Sequence, residues 1–185
     1  MKLLFVCSGN TCRSPLALAA WRALPDSSRK VEAASAGLAA RTGEAASRYS
    51  VDIAREWHVD LSKHRARNLD DRLLRETDLF CVMTPEHKTH LIARGARLGL
   101  NLETRVQLLG SFAAPEEIEA SGETTSLRRL LGDSDESTLP TSSEAVSILD
   151  PFNGSREAYQ SCATQIQRAV AGLNCALAEG RSETY

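Results

Sequence analysis

Apolar residues fall along this chain in short blocks whose spacing alternates between strand-like and helix-like. The run from Lys2 to Cys7 is apolar through Leu3–Val6 and halts at Gly9 and Asn10, which predicts a buried strand ending in a turn. Ser14 and Pro15 then open an alanine- and leucine-rich segment reaching about Leu24, with Ser14 suited to a helix cap and Pro15 to the first helical position. Val31 to Ala36 predicts a second strand ending at Gly37, and Ala46, Ile53, Ala54 and Trp57 recur at spacings that fit one helical face. A short helix over Asp70–Arg75, a strand over Leu79–Met83, a helix over Pro85–Arg94 stopped by Gly95, and a strand over Arg105–Leu109 follow. Ala158, Cys162, Ile166, Ala169, Val170 and Leu173 are spaced for a closing amphipathic helix over Glu157–Leu177. This alternation predicts an α/β fold: a four-stranded parallel sheet with helices on both faces, with a loop at the carboxyl end of the first strand near a topological switch point.

One stretch breaks the pattern. From Ala113 to Ser147 the composition shifts to Ser, Thr, Glu, Asp, Gly and Pro, interrupted by a cluster at Leu127–Leu131. The acidic piece Asp133–Ser137 offers too little apolar surface to offset the entropy of ordering it, so residues 113–147 read as a mobile insertion within a single domain spanning 1–185. A length of 185 residues fits that count.

Charge and cysteine usage narrow the function classes. A net charge of -2 supplies no electrostatic basis for nucleic acid binding, and no apolar run approaches the ~20 residues of a membrane helix. The apolar start is also too short for a signal-peptide core, so the expected location is the cytoplasm. Five cysteines without paired spacing argue against a disulfide framework and predict free thiols.

The candidate chemistry lies in Cys7-Ser8-Gly9-Asn10-Thr11-Cys12-Arg13-Ser14-Pro15, between the first strand and the first helix. A loop of small residues entering a helix can turn several backbone N–H groups inward and form a concave anion site reinforced by the helix dipole. Arg13 can add a bidentate grip on phosphate oxygens that a lysine could not reproduce. Cys7, at the base of the cradle, shares the positive field that favours a thiolate, and a thiolate beneath a bound phosphate is a nucleophile poised for phosphoryl transfer. The nucleotide-binding pattern G-x-x-x-x-G-K-[ST] is absent, which disfavours nucleotide hydrolysis. Read by themselves, Ser14 serves as a cap, Ser35 as a strand residue, His64 as a solvated turn residue and Asp150 before proline as a turn former. His87 and His90 read as solvated side chains of a surface helix rather than metal ligands, and Cys162 and Cys175 as small packing residues of the last helix.

The Cys7-to-Pro15 segment resembles the signature of the low-molecular-weight protein tyrosine phosphatases: a cysteine, five residues, an arginine, then Ser-Pro, at the very N-terminus. Ser35-Ala36-Gly37, Asp60–His64 and Met83-Thr84 are similar to further family segments, and Asp150-Pro151-Phe152 resembles the loop carrying the family's general acid. The resemblance covers most of 1–112 and 148–177. It implies that Cys7 attacks phosphorus, that Arg13 and the amides of the Ser8–Arg13 loop hold the oxygens, and that Asp150 protonates the leaving atom and later activates water, with no cofactor or metal. It also implies that Asn10, Ser14, Ser35 and His64 form a network supporting the loop. Thr11 and Phe152 stand where tyrosine-specific members often carry a larger aliphatic residue and a tyrosine or tryptophan; both resemble the protein-arginine phosphatase branch. A phosphorylated protein is therefore the expected partner, with phosphoarginine favoured over phosphotyrosine, while the oligomeric state stays open. Arsenate reductase, which relays a disulfide through additional cysteines, fits less well because Cys81 has no cysteine close after it. A non-catalytic phosphate-binding module would have no use for Asp150. The nearness of Cys12 to Cys7 in sequence suggests a reversible disulfide under mild oxidation.

Overall fold

The computed structural model describes residues 1–25, 31–113 and 147–182. Their elements run β1 (Lys2–Cys7), α1 (Arg13–Ala23), β2 (Glu32–Gly37), α2 (Arg48–Glu56), α3 (Asp71–Glu76), β3 (Leu79–Val82), α4 (Pro85–Arg97), β4 (Val106–Leu108), a 3-10 turn (Leu109–Phe112) and α5 (Arg156–Ser182). The insertion expected over 113–147 lies, apart from its two end residues, outside the described residues.

Strand order in the sheet is β2-β1-β3-β4, and every pairing is parallel. β1 is central, pairing Cys7 with Gly37 on one side and Val6 with Val82 on the other. The chain departs from β1 in opposite directions to reach its two neighbours, so a crevice opens at the carboxyl end of β1, the switch point at which ligands bind in such sheets. Alternation along β1 splits the core. Leu3, Phe5 and Cys7 face α1 and α5, whereas Leu4 and Val6 pack with Leu74 of α3 and Leu91 of α4. Helices thus cover both faces. Full burial of Phe5 and Phe80 each contributes roughly 1.5–3 kcal/mol. A third cluster, Ala19, Ala46, Ala54 and Leu61 with Trp57 beside it, seats α2 against α1.

Two helix boundaries differ from expectation. α1 begins at Arg13 with Cys12 as the cap residue, so Ser14 lies inside the first turn and its hydroxyl is drawn into the loop instead of capping the helix. Helix α4 passes through Gly95 to Arg97, because Gly95 faces the core where an added Cβ would come within 2.5 Å of Leu102; the turn comes at Gly99, with φ of 71°. Gly37 has a comparable role at the site. A Cβ there would lie 2.6 Å from the Ser8 carbonyl oxygen and 2.9 Å from the Asn10 nitrogen, so only glycine lets the loop after β1 lie against the end of β2. Cys175, expected to pack, is exposed, whereas Cys162 is buried.

Candidate active site

The loop between β1 and α1 closes around the sulfur of Cys7. Asn10 adopts a left-handed conformation, with φ of 55°, that turns its backbone N–H back to donate to Cys7 Sγ at 3.2 Å. Ser14 Oγ lies 3.0 Å from the same sulfur and 3.3 Å from the Ala36 carbonyl. The Ser14 hydroxyl thus sits between the sulfur and that carbonyl, which can only accept.

Asn10 holds this arrangement together and is fully buried. Its Nδ2 donates to Ser14 Oγ at 2.8 Å and to Ser35 Oγ at 3.0 Å, while its Oδ1 accepts from the backbone N–H of Arg67 at 3.0 Å. His64 Nε2 donates to the Asn10 carbonyl at 2.8 Å. Burial, the leading cause, holds the His64 imidazole below its usual titration range, and the hydrogen bond to Asn10 partly opposes that shift. The polar atoms of this buried group are thereby paired, as a rigid cradle requires. Asn10, Ser14, Ser35 and His64, separated by up to 54 positions, are brought together as one network.

Arg13, 3% exposed, reaches across to the segment preceding α5. Its Nη1 donates to the Ile148 carbonyl at 3.1 Å, and its Nη2 donates to Ser8 Oγ at 3.3 Å and to Asp150 Oδ2. Among the described residues its buried Nε has no hydrogen-bond partner. The Asp150 segment is fastened at Ile148, whose N–H donates to the Met83 carbonyl at the end of β3 at 2.9 Å. Asp150 Oδ1 accepts from the Phe152 N–H at 3.2 Å, which forms the turn through Pro151. A cleft of about 310 Å³ is lined by Cys7, Gly9, Thr11, Glu44, Asp150 and Phe152. Phe152 is 58% exposed, and Thr11, largely buried, places Oγ1 3.6 Å from Cys12 Sγ.

A sequence model of the family described as low molecular weight phosphotyrosine protein phosphatase matches residues 2–123. The chain belongs to this family. The low molecular weight protein-tyrosine-phosphatase Wzb of Salmonella typhi is 29% identical over 169 residues, covering 91% of this chain and 89% of its own. The protein-arginine-phosphatase of Bacillus subtilis is 34% identical over 98 residues, or 52% of this chain and 65% of its own. Among solved structures, the YwlE arginine phosphatase from Geobacillus stearothermophilus aligns over 100% of this chain and 97% of its own, with a TM-score of 0.72 and 25% identity. The expected family and its fold are thus both found.

Several residues at the site were not legible in advance. His87, expected on a solvated helix face, is buried, with Nε2 2.9 Å from Ser8 Oγ; His90 on the same helix is exposed. A usable signal was present: Thr84-Pro85 starts α4 directly after β3, at the same sheet edge as the Cys7 loop, and His87 lies in its first turn. Tyr159 of α5 places its hydroxyl 3.1 Å from Cys12 Sγ and its ring 5.2 Å from that of Tyr49. Burial first, then the contact with Cys12, pushes the Tyr159 phenol up to about 12. Glu44 and Arg41 line the cleft from an exposed turn that nothing in the local sequence distinguishes.

Proposed function

We propose that this phosphatase hydrolyses phosphoarginine in proteins, with Cys7 as nucleophile, Arg13 and the loop amides as the oxyanion cradle, and Asp150 as general acid and base. The observation that carries the mechanism is the convergence of three groups, two from one loop and one from the segment before α5. Cys7 Sγ is held by Asn10 N–H and Ser14 Oγ, and the adjacent Arg13 reaches Asp150 from the far end of the chain.

A phosphoryl group entering the cradle accepts from Arg13 Nε and Nη2, displacing Asp150 from Nη2 and leaving that carboxyl group free to meet the leaving atom. The Cys7 thiolate forms an S–P bond as the P–N bond breaks, and the departing nitrogen takes its electron pair and a proton from Asp150. Water then gives a proton to the Asp150 carboxylate and attacks phosphorus, the S–P bond breaks, and thiolate and phosphate are released. Donors aimed at the phosphoryl oxygens stabilise the transition state of both steps.

Phosphoarginine is favoured by Thr11, a small polar residue lining the cleft where a branched aliphatic chain would crowd a phosphoguanidinium. The arginine phosphatases among the similar proteins accord with this. Phosphotyrosine is the second reading, favoured by the exposed Phe152 ring beside Asp150 and by the relative named a tyrosine phosphatase. Five free thiols suit a reducing compartment, so we place the protein in the cytoplasm, and we read 1–185 as one phosphatase domain carrying an insertion at 113–147.

Phosphoarginine and phosphotyrosine peptides offered to one preparation, with Cys7→Ser as control, test the proposal. The expected result is faster release of phosphate from phosphoarginine and none by Cys7→Ser. Activity on phosphotyrosine alone selects the second reading, and turnover by Cys7→Ser overturns the mechanism.

A further inference from the structure

Ser8 stands between an imidazole and a guanidinium. Its Oγ lies 2.9 Å from His87 Nε2 and accepts from Arg13 Nη2 at 3.3 Å. The two partners come from opposite faces of the sheet, His87 from α4 and Arg13 from α1, and they meet at the carboxyl edge of β1. His87 is itself fixed: its backbone N–H donates to the Thr84 side chain that caps α4, at 3.4 Å, and it is 8% exposed.

Packing does not account for an imidazole here. Among the described residues the buried His87 Nδ1 has no hydrogen-bond partner, which costs free energy that an apolar side chain of similar size would not incur. The side-chain hydrogen bond it makes among the described residues goes to the loop that surrounds Cys7. Its charge state suits that place. Burial, reinforced by the nearby Arg13 cation, lowers its titration to about 4, so near neutrality the ring is uncharged. A lysine or arginine there would add a second cation competing with Arg13 for an oxyanion. The neutral ring holds Ser8 without doing so, and whichever ring nitrogen carries the hydrogen, Ser8 Oγ remains an acceptor for Arg13, which can only donate.

We infer that His87 is a positioning residue for the phosphate grip, acting through Ser8 Oγ to hold the Arg13 guanidinium at the cradle. The inference rests on the reading above that Arg13 binds the oxyanion. Its distinguishing consequence is non-additivity: once Ser8 Oγ is removed, the hydrogen-bonded route from His87 to Arg13 is gone.

The test uses His87→Phe, which keeps the volume and loses the hydrogen bond, His87→Gln, whose amide can reach the position of Nε2, and Ser8→Ala, singly and with His87→Phe. On a chromogenic aryl phosphate, His87→Phe is expected to lower kcat/KM roughly three- to tenfold and to raise the Ki of inorganic phosphate by a similar factor, as for one neutral hydrogen bond. His87→Gln is expected to restore most of both. Ser8→Ala alone should reproduce the loss, and adding His87→Phe to it should change neither constant further. Equal losses from His87→Phe with and without Ser8, or no loss in a variant of unchanged Tm, overturn the inference. Should His87→Phe fail to fold, Ser8→Ala decides, since an unchanged phosphate Ki in that variant also overturns it. Arg13→Ala run alongside separates the two levels. If it leaves the phosphate Ki unchanged, the oxyanion reading itself fails; if it raises the Ki while His87→Phe does not, only the bracing by His87 fails.

Discussion

Cys7 Sγ lies 3.0 Å from Ser14 Oγ, in the first turn of α1, and Ser14 is held there by Asn10 Nδ2 at 2.8 Å. In the proposed mechanism a hydroxyl turned toward the Cys7 thiolate would stabilise the charged sulfur both before attack and as it departs in the second step. Ser14→Ala is expected to lower kcat on an aryl phosphate by roughly ten- to a hundred-and-fiftyfold, the range for a hydrogen bond to a charged group. Steady-state kinetics with an unchanged melting temperature would check it; a rate within twofold of the parent would assign Ser14 to packing alone.

Asp150 is bridged to Arg13 and anchored through Phe152, and the proposed mechanism gives it the proton for the leaving atom. Asp150→Ala should therefore slow alkyl phosphates and phosphoarginine far more than an activated nitrophenyl ester, whose leaving group needs little protonation. A plot of log kcat/KM against leaving-group pKa becomes steeper in the variant. Parallel lines for the two proteins would remove Asp150 as the acid.

Thr11 lines the cleft beside Cys7, and its replacement by isoleucine adds bulk where the phosphoguanidinium would lie. Thr11→Ile should shift relative kcat/KM from phosphoarginine toward phosphotyrosine by roughly ten- to two-hundredfold, the value of one altered pocket contact. Equal losses on both substrates would mean that Thr11 only supports the loop.

Cys12 shares the cleft lining with Cys7 and is held by the Tyr159 hydroxyl at 3.1 Å. On the proposed mechanism, hydrogen peroxide should convert the Cys7 thiolate to a sulfenic acid, with which the Cys12 thiol would condense to form a disulfide and release water. Dithiothreitol should then restore activity in the parent protein. In Cys12→Ser the same exposure should lead to irreversible loss, and mass spectra of the parent should contain the Cys7–Cys12 linkage. Full recovery in Cys12→Ser would show that Cys12 has no protective role.

Acid should weaken the fold through its buried imidazoles. The folded chain holds His87 near a pKa of about 4, against an ordinary 6.5, and His64 moves in the same direction, both chiefly because burial disfavours the cation. Between these two values the unfolded chain binds more protons, so stability decreases as pH falls from 6.5 toward 4 and is insensitive to these groups above that window. Denaturant midpoints of the parent and His87→Gln should therefore differ in slope only across that interval. Identical slopes would show that His87 is not held neutral.

How far the sequence alone reached depends on whether a feature is written along the chain or across it. The strands, the helices and the parallel sheet were readable because burial imposes a period on neighbouring residues, and the Cys7-to-Pro15 segment because its residues act within one strand-to-helix turn. Even locally the reading had limits. Ser14 has the chemistry of a cap, and only the nearness of Asn10, Ser35 and Ala36 in space draws its hydroxyl into the loop. Gly95 has the look of a helix stop, yet its purpose is to admit Leu102 against the helix. His87 differs from the exposed His90 by less than one helical turn, and no periodicity says which of them faces the carboxyl edge of β1. The sequence thus determined which residues could carry the chemistry. The tertiary structure decided which of them meet, because hydrogen bonds such as those of His87 to Ser8 and Arg13 to Asp150 act over about 3 Å and depend on how helices pack, whereas sequence separation, 79 and 137 residues here, carries no record of that distance.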